Sequence, residues 1–393
     1  MWKYISRGEA EDCWDRWLVE LDQPSVFQSF EWGEYKRLTG WQVDRWVITG
    51  NDSRLAAAQV ISKRLPFGVT MAWVPGGPLF KLERPGKDQF ASLLSGLKQT
   101  LLERFGKNLY VRLNMSLPTS PDLTFHVRQV FRRVLVPINS GYTYHLQIPQ
   151  DEVDLLKRLS KKHRYYARRS LSAPIGWSEG NKKKDCQDFL EVHRQMARNK
   201  GLDRLALVDD DIRLLLRCFS GQASIVTGYS DNKPVTTCLI LMAGKSAFYY
   251  LAATNDYGRE MSASYGMVLK AMEMLSRLGV SDFDMGGIDP EWAQGVNHFK
   301  KGFGGRMIQY LGEWDYPDMI CYPDQEREIP GSRSCCTIQL ENSLRMMPTD
   351  SQYRLTHLKN RSECCSRIKI LKSYLSSFQI VIPFLKKIQT SCL

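Results

Sequence analysis

The residues best suited to chemistry lie in one segment, 282–305. A strand pattern ends at Gly286 and Gly287, and two lysines, Lys300 and Lys301, precede a further glycine-rich stretch. Residues without a Cβ let a ligand or a second backbone come close. An ammonium group beside such an opening can stabilise the oxyanion that develops during acyl transfer. A structural glycine turn with solvated lysines is the alternative interpretation, and the residue types alone leave both open.

A second group of candidates is cationic and lies on one predicted helix over residues 151–172. Seven Lys or Arg occur between 157 and 169, and no acid follows Asp154 within this helix. A phosphate backbone would supply the missing counter-charge, with Tyr165 and Tyr166 placed to stack on bases. A solvated charged face is the alternative. The predicted nucleic-acid-binding residues are Lys161, Lys162, Arg164 and Arg168.

A third segment, residues 27–41, has the pattern of a short amphipathic helix. Ser29 stands where a side-chain oxygen can cap the first turn, and Trp32 and Lys36 follow one helical turn apart. Taken by itself, this pattern predicts only a capped helix.

The elements that must position these residues follow one order twice. Helices come first in each half, followed by three strands, a long helix and at least one more strand. The predicted strands are residues 41–49, 55–64, 70–74, 109–113, 144–148, 223–229, 235–242, 247–252 and 282–285. This order predicts an α/β fold of two similar domains with mixed sheets flanked by helices. The predicted boundaries are residues 1–150, 151–322 and, for a C-terminal tail, 323–393.

Length and composition bound the class of protein. A chain of 393 residues with 43% hydrophobic residues has enough apolar material for two cores. Its net charge of +12 favours a polyanionic partner. No secretion signal is recognisable, and no run reaches the roughly 18 apolar residues that a membrane span needs. We therefore expect a cytoplasmic enzyme.

The tail differs in composition from the rest of the chain. Residues 331–393 contain ten Lys or Arg against three acidic residues, and six of the ten cysteines lie from Cys321 onward. Their spacing matches no zinc or redox motif, so we expect no metal. The apolar stretch 368–388 is either a packed helix or a segment on a membrane surface, and packing is favoured.

Together the three segments, within residues 25–316, resemble the FemABX family of aminoacyltransferases, whose members have two GNAT-like domains. The C-terminal part of the resemblance is Asp284, Gly286-Gly287-Ile288, Gly295-Val296, Phe299-Lys300 and Gly302-Phe303-Gly304-Gly305. The N-terminal part is Gln28-Ser29, Trp32-Gly33, Lys36 and Gly40-Trp41.

The resemblance implies transfer of an amino acid from aminoacyl-tRNA to an amine of a cell-wall or envelope glycan precursor, without a metal or other cofactor. Phe299 and Lys300 match the family's Phe-Lys pair, so Lys300 would stabilise charge on the reacting carbonyl or the leaving group. Lys36 would contact the diphosphate of a phosphorylated or lipid-linked sugar acceptor, which implies peripheral contact with the inner face of the membrane. The other candidate substrate-binding residues are Trp32, Gly286, Gly287, Tyr250, Arg204 and Arg213.

Two other functions stay open at this point. One is a GNAT-type N-acyltransferase that uses acyl-CoA, although residues 257–265 lack the pyrophosphate-binding pattern R/Q-x-x-G-x-G/A. The other is a non-enzymatic nucleic-acid-binding protein that uses the basic helix and the tail.

Overall fold

The computed structural model describes residues 1–22, 24–50, 54–65, 68–81, 87–134, 137–149, 155–199, 201, 209–289 and 293–317. The predictions made for the tail and for Arg204 lie outside these residues.

Helices and strands alternate along the described chain. The elements before residue 150 are β1 (Lys3–Ile5), α1 (Arg7–Leu18), a 3₁₀ turn (Val26–Gln28), α2 (Phe30–Leu38), β2 (Gln42–Thr49), β3 (Arg54–Arg64), β4 (Thr70–Pro75), β5 (Leu79–Phe80), α3 (Lys87–Phe105), β6 (Leu109–Pro118), α4 (Pro121–Arg128), β7 (Arg132–Arg133) and β8 (Tyr142–Gln147). The later elements are α5 (Leu155–Arg158), α6 (Lys161–Ser172), β9 (Gly176–Gly180), α7 (Lys183–Asn199), α8 (Asp209–Phe219), β10 (Ala223–Ser230), β11 (Lys233–Ala243), β12 (Ser246–Thr254), α9 (Asp256–Glu260), α10 (Ala263–Arg277), β13 (Asp282–Ile288), α11 (Gln294–Lys301) and β14 (Arg306–Pro317).

The strands form one path of hydrogen-bonded neighbours in the order β1-β2-β3-β4-β6-β14-β8-β13-β12-β11-β10-β9. Pairing is antiparallel except between β4 and β6 and between β12 and β13. Each parallel pair needs a crossover, and a long helix supplies it, α3 in the first half and α10 in the second. The mixed α/β class predicted from the order of elements is confirmed.

Strand β14 joins the two halves. Its first residues, Arg306 to Gln309, pair with β8, and its later residues, from Tyr310 onward, pair with β6. Strand β8 precedes the predicted domain boundary at residue 150, yet it also pairs with β13 of the second half. The sheet is therefore continuous across the junction between the halves.

Apolar side chains fill both halves and the contact between them. In the first half, Phe90, Leu94 and Leu97 of α3 are buried against the sheet. In the second half, α10 is buried against its sheet in the same way. A further cluster combines Trp32 and Tyr35 of α2 with buried residues of α7 and α8. Helix α2 of the first half is thus fixed against the second half.

Two local predictions were wrong. The basic segment is not one helix, because α5 ends at Arg158 and α6 begins after Ser160, whose hydroxyl accepts a hydrogen bond from the backbone N–H of His163. The segment between the two groups of glycines, expected to be a loop, contains a helix, α11, whose buried residues are Val296, Phe299 and Lys300. None of the described helices is both long and apolar enough to cross a membrane.

Candidate active site

A cavity of about 1110 Å³ lies where the two halves meet. Its walls come from α2 and β4 of the first half, from β12, β13 and α11 of the second, and from the joining strands β8 and β14. This volume is slightly above the usual range for small-molecule sites, so the cavity can accommodate an extended ligand. The predicted site residues that line this cavity are Trp32, Lys36, Tyr250, Gly286, Gly287, Phe299 and Lys300.

Lys300 lies on α11 with only 6% of its surface exposed. Its Nζ donates hydrogen bonds to the carbonyl oxygen of Gly286 at 3.2 Å and to that of Gly287 at 2.9 Å. A buried ammonium group is tolerated only where acceptors replace its water. The two carbonyls therefore hold this cation at a defined position in the cavity wall.

Gly286 adopts a conformation that favours glycine. Its φ is +74°, and the register between β8 and β13 shifts between Asp284 and Gly287, which marks a β-bulge. A Cβ at Gly286 would lie 3.0 Å from the carbonyl oxygen of Tyr249 and 3.7 Å from Nζ of Lys300. Glycine thus permits both the bulge and the close approach of β13 to the Tyr249 carbonyl.

Phe299 connects α11 to the basic helix α6. Its ring contacts those of Tyr265 and Phe303, each at a centroid distance of 5.1 Å. Its carbonyl oxygen accepts a hydrogen bond of 2.8 Å from Nε2 of the fully buried His163. The His163 ring occupies the space that a Cβ at Gly302 would need. The residue before Lys300 is therefore held from two sides.

Lys36 lies in a different part of the cavity wall, among aromatic rings. Its Nζ is 4.7 Å from the ring centroid of Trp32 and 5.0 Å from that of Tyr35, both close enough for cation–π interaction. Tyr250 contacts the other side of this group, 6.0 Å from Trp32 by ring centroids. Burial lowers the pKa of Lys36 to about 8, and the charge of Asp211 only partly opposes this shift.

Two further features make the Lys36 region a candidate anion site. Ser29 caps α2 through the backbone N–H of Trp32, as the sequence predicts, which fixes the first turn of the helix. Nε1 of Trp32 is buried and has no hydrogen-bond partner among the described residues. An N–H group of this kind is costly unless a ligand or water accepts from it.

A polar cluster that sequence reasoning missed lines the cavity beside Gly286. Asp284 accepts hydrogen bonds from the backbone N–H of Gly286 at 2.8 Å, from the hydroxyl of Tyr310 at 2.9 Å and from the hydroxyl of Thr143. His145 lies between the carboxylate of Asp282, 3.0 Å from its Nδ1, and the hydroxyl of Tyr310, 2.6 Å from its Nε2. All of these residues line the cavity.

The charges of this cluster follow from its contacts. Burial alone would lower the pKa of His145, but the hydrogen bonds and charges of Asp282 and Asp284 outweigh it and raise that pKa to about 10. Burial favours neutral Asp284, yet His145, Thr143 and the Gly286 amide lower its pKa overall. These contacts therefore favour the protonated imidazole of His145 and the ionised form of Asp284. Alternation places Thr143 and His145 on one face of β8 and Asp282 and Asp284 on one face of β13, and the pairing of the two strands brings these faces to the same side of the sheet.

The predicted nucleic-acid-binding residues lie on α6, outside the cavity lining. Lys161, Lys162 and Arg168 are exposed, and Arg164 is half-buried with its Nη2 donating to the Leu159 carbonyl. The ring of Tyr165 is exposed, whereas that of Tyr166 stacks on Tyr265. Of the two predicted stacking tyrosines, Tyr165 alone presents its ring outward.

Two predicted residues are not brought to this site. Arg213 is exposed on α8 and is not among the described residues that line the cavity. Arg204 lies outside the described residues. Within the described parts of the chain, no group of three or more His, Cys, Asp or Glu side chains is placed to hold a metal ion.

The described chain has the fold of tandem GNAT-like proteins. A tandem GNAT protein from the clavulanic acid biosynthesis pathway superimposes with a TM-score of 0.51 at 12% identity, covering 81% of this chain and 98% of that one. The crystal structure of FemX superimposes more fully, with a TM-score of 0.68 at 16% identity over 80% of this chain and 97% of that one. The prediction of two GNAT-like domains agrees with both overlaps.

Sequence comparison narrows this class to one family. The sequence model of the FemAB family matches residues 178–320. Lipid II:glycine glycyltransferase of Staphylococcus saprophyticus is 19% identical over 382 residues, covering 78% of this chain and 91% of the relative, and that of Staphylococcus epidermidis is 19% identical over 377 residues, covering 77% and 90%. The resemblance to the FemABX family that the glycine and Phe-Lys motifs indicated is confirmed by this family-model match, by these relatives and by the FemX overlap.

Proposed function

We propose that this protein is an aminoacyltransferase that moves an amino acid from aminoacyl-tRNA to an amine of a lipid-linked or nucleotide-linked cell-wall precursor in the cytoplasm. The observation that carries the proposal is the buried ammonium group of Lys300, held by two backbone carbonyls in the wall of the cavity. Relatives named lipid II:glycine glycyltransferase support transfer of an amino acid to a peptidoglycan precursor.

The chemistry asks for little beyond orientation and charge stabilisation. The acceptor amine forms a C–N bond to the ester carbonyl, the bond from that carbon to the ribose oxygen breaks, and the proton leaving the amine ends on the ribose hydroxyl. Negative charge gathers first on the carbonyl oxygen and then on the leaving oxygen. The ammonium group of Lys300 stabilises that charge, while the cavity walls hold the two substrates together.

The acceptor's phosphates would bind in the Lys36 region. The Lys36 ammonium and the unpaired Nε1 of Trp32 together offer a cation and a donor to an anionic oxygen. Burial that lowers the pKa of Lys36 to about 8 is offset when an anion binds, so binding and protonation of Lys36 favour one another. A diphosphate-linked sugar peptide fits these requirements and the extended cavity.

The tRNA would bind along the exposed cationic face of α6. Lys161, Lys162 and Arg168 are exposed there, and the exposed ring of Tyr165 is available to stack on a base. The packing of His163 against Phe299 and Gly302 joins this helix directly to α11. When the phosphate backbone of the tRNA is bound on α6, the aminoacyl ester at its end would then lie close to Lys300.

The deciding experiment is turnover with purified substrates. Single-turnover transfer is measured with aminoacyl-tRNA or acyl-CoA as donor and with a lipid-linked or nucleotide-linked muramyl peptide as acceptor. We expect transfer from aminoacyl-tRNA alone, with the donor KM rising steeply with salt because phosphate contacts release counter-ions. Transfer from acyl-CoA alone would instead assign a GNAT-type N-acyltransferase.

A charge-reversal pair tests the tRNA surface. Lys161→Glu combined with Lys162→Glu should raise the KM for aminoacyl-tRNA and reduce its salt dependence, while the acceptor KM stays unchanged. Lys182→Glu with Lys183→Glu, two exposed lysines before and at the start of α7, is the matched control. RNA binding without any transfer would support only the function of a nucleic-acid-binding protein. Equal effects of the two charge-reversal pairs would exclude the α6 surface as the tRNA-binding site.

A further inference from the structure

Two successive carbonyls of β13 point at the same ammonium group, which a regular strand does not allow. In an extended strand, neighbouring carbonyls point in opposite directions. Here the carbonyl oxygens of Gly286 and Gly287 both accept from Nζ of Lys300, at 3.2 and 2.9 Å. The strand must therefore turn between them, and the positive φ of Gly286 with the register shift beside it is that turn.

Asp284 holds the turn from within the same strand. Its Oδ1 accepts the backbone N–H of Gly286, two residues on, which is the local side-chain to backbone bond typical of Asp in tight turns. Thr143 of the neighbouring strand lies within hydrogen-bond distance of both this carboxylate and the Gly286 carbonyl oxygen. The backbone N–H of Gly286 is thus held by the Asp284 carboxylate, and the Gly286 carbonyl oxygen is held by the Thr143 hydroxyl.

His145 and Tyr310 fix the other side of that carboxylate. The Tyr310 hydroxyl donates to Oδ2 of Asp284, and Nε2 of His145 lies 2.6 Å from the same hydroxyl and 3.5 Å from Oδ2. Both oxygens of Asp284 are therefore occupied by donors, so this carboxylate is not placed to act as a base. Its contacts are those of a residue that fixes the geometry of others.

We propose that Asp284, held by His145 and Tyr310, is the positioning residue that shapes the Gly286 bulge and so places the Lys300 ammonium for transfer. The proposal deepens the acyl-transfer function proposed above and rests on it for its effect on rate. It assigns a role to three cavity-lining side chains from three strands, β8, β13 and β14, that come together only at the junction of the two halves. The substrate is not expected to touch Asp284.

The test replaces the carboxylate by its isostere. Asp284→Asn keeps one acceptor for the Gly286 amide but loses the charge and the acceptor for Tyr310. We expect kcat to fall by about 10- to 100-fold with the acceptor KM little changed, because a displaced catalytic group costs rate rather than binding. Asp284→Glu should not restore the rate, since the longer side chain keeps the charge but does not fit the turn to Gly286.

Asp282→Asn is the matched control. Asp282 lies on the same strand as Asp284 and also contacts the His145 ring. Its hydrogen bonds go to His145 and Gln147, however, and not to the bulge. We expect kcat of Asp282→Asn to fall by less than about threefold. Equal losses in the two Asp→Asn variants would mean that the charge of the cluster matters and the bulge does not, which would overturn the proposal.

Two readouts do not depend on turnover. The ¹⁵N resonances of the Lys300 ammonium and of the His145 ring are followed in Asp284→Asn, together with the melting temperature. The titratable and charged groups that face His145 among the described residues are Asp282, Asp284, Tyr310 and Arg306, the last being its cross-strand partner on β14. Removal of the Asp284 charge should therefore bring the His145 titration to lower pH. We expect the Lys300 resonance to shift in Asp284→Asn and to stay in place in Asp282→Asn.

These readouts separate the two proposals. A wild-type chain that transfers nothing from any donor would refute the proposed function, while a shifted Lys300 resonance would still support the positioning role. An unshifted Lys300 resonance in a folded Asp284→Asn variant with kcat within about twofold of wild type would refute the positioning role alone.

Discussion

Lys36 and Lys300, which both line the cavity, are held in opposite ways. In the Lys300 region, formed by Gly286, Gly287, Phe299 and Lys300, the ammonium group donates to two backbone carbonyls at 3.2 and 2.9 Å. In the Lys36 region, formed by Trp32, Tyr35, Lys36 and Tyr250, it lies over aromatic faces, and burial lowers its pKa to about 8. Carbonyl dipoles fix a position, whereas ring faces leave the N–H groups turned toward other acceptors.

This difference indicates that the two lysines have different roles, one in catalysis and one in binding. A catalytic cation must stand in place before the transition state forms, because reorganisation at that moment costs rate. A binding cation gains most when the ligand supplies the acceptor that the protein withholds. We infer that the Lys300 region contributes to kcat and the Lys36 region to the affinity for the acceptor.

The largest expected effect comes from removing the Lys300 ammonium. Lys300→Ala should lower kcat by about 10²-fold or more, since a charge aimed at the developing oxyanion is lost. The acceptor KM should change little, and the variant should fold, as circular dichroism and thermal melting would check. Lys301→Ala, the exposed neighbour on the same helix, is the control and should retain its rate. An unchanged kcat in Lys300→Ala would remove Lys300 from the mechanism.

Features of the two regions that depend on local sequence patterns could be predicted from the sequence. Ser29 and the Gly286-Gly287 pair are recognisable because each signal lies within a few residues of its neighbours, whereas Lys36 was indicated only by the resemblance to the FemABX family. The α/β class followed from the order of helices and strands for the same reason. Local patterns of this kind depend on capping, periodicity and the missing Cβ of glycine, all of which act over one turn or one strand.

The Asp284 cluster could not be predicted in this way. His145 and Tyr310 meet only because β14 pairs first with β8 and then with β6, which brings together residues 165 positions apart. A single sequence offers no signal for a contact of that range. Helix α11 was missed for a different reason, since its glycine-rich surroundings resemble a loop and its buried face consists of just Val296, Phe299 and the aliphatic part of Lys300.

The second expected effect concerns affinity. Lys36→Ala should raise the acceptor KM by about 10-fold or more, because a charge-assisted hydrogen bond to phosphate is lost. The value of kcat should change much less than in Lys300→Ala. Equilibrium binding of a nucleotide-linked acceptor, measured by calorimetry, would check this directly. If kcat fell and affinity stayed constant, the roles assigned to the two lysines would be reversed.

The pH dependence of acceptor binding sharpens the same contrast. Lys36 is charged below its pKa of about 8 and neutral above it, so affinity for an anionic acceptor should be complete near pH 6.5 and decline as pH rises through 8 to 9. Over that range we expect a loss of up to about 10-fold. Lys36→Arg should flatten this profile because a guanidinium stays charged. A wild-type profile that is flat between pH 6.5 and 9 would contradict a binding role for the Lys36 charge.

The smallest expected effect tests whether the two regions are independent. In Gly302→Ala, the added Cβ would lie within 2.0 to 2.2 Å of three atoms of the His163 ring, so this buried ring must move and loosen its hydrogen bond to the Phe299 carbonyl. We expect a loss of about 1–3 kcal/mol in the free energy of unfolding, from urea titration, with a lower kcat. Gly8→Ala, where no atom lies within 4 Å of the added Cβ in helix α1, should be neutral or stabilising by up to about 1 kcal/mol. Helix α2 does not contact His163 through any described hydrogen bond, so acceptor affinity should be unaffected in Gly302→Ala. A parallel rise in the acceptor KM would show that the Lys36 and Lys300 regions are coupled.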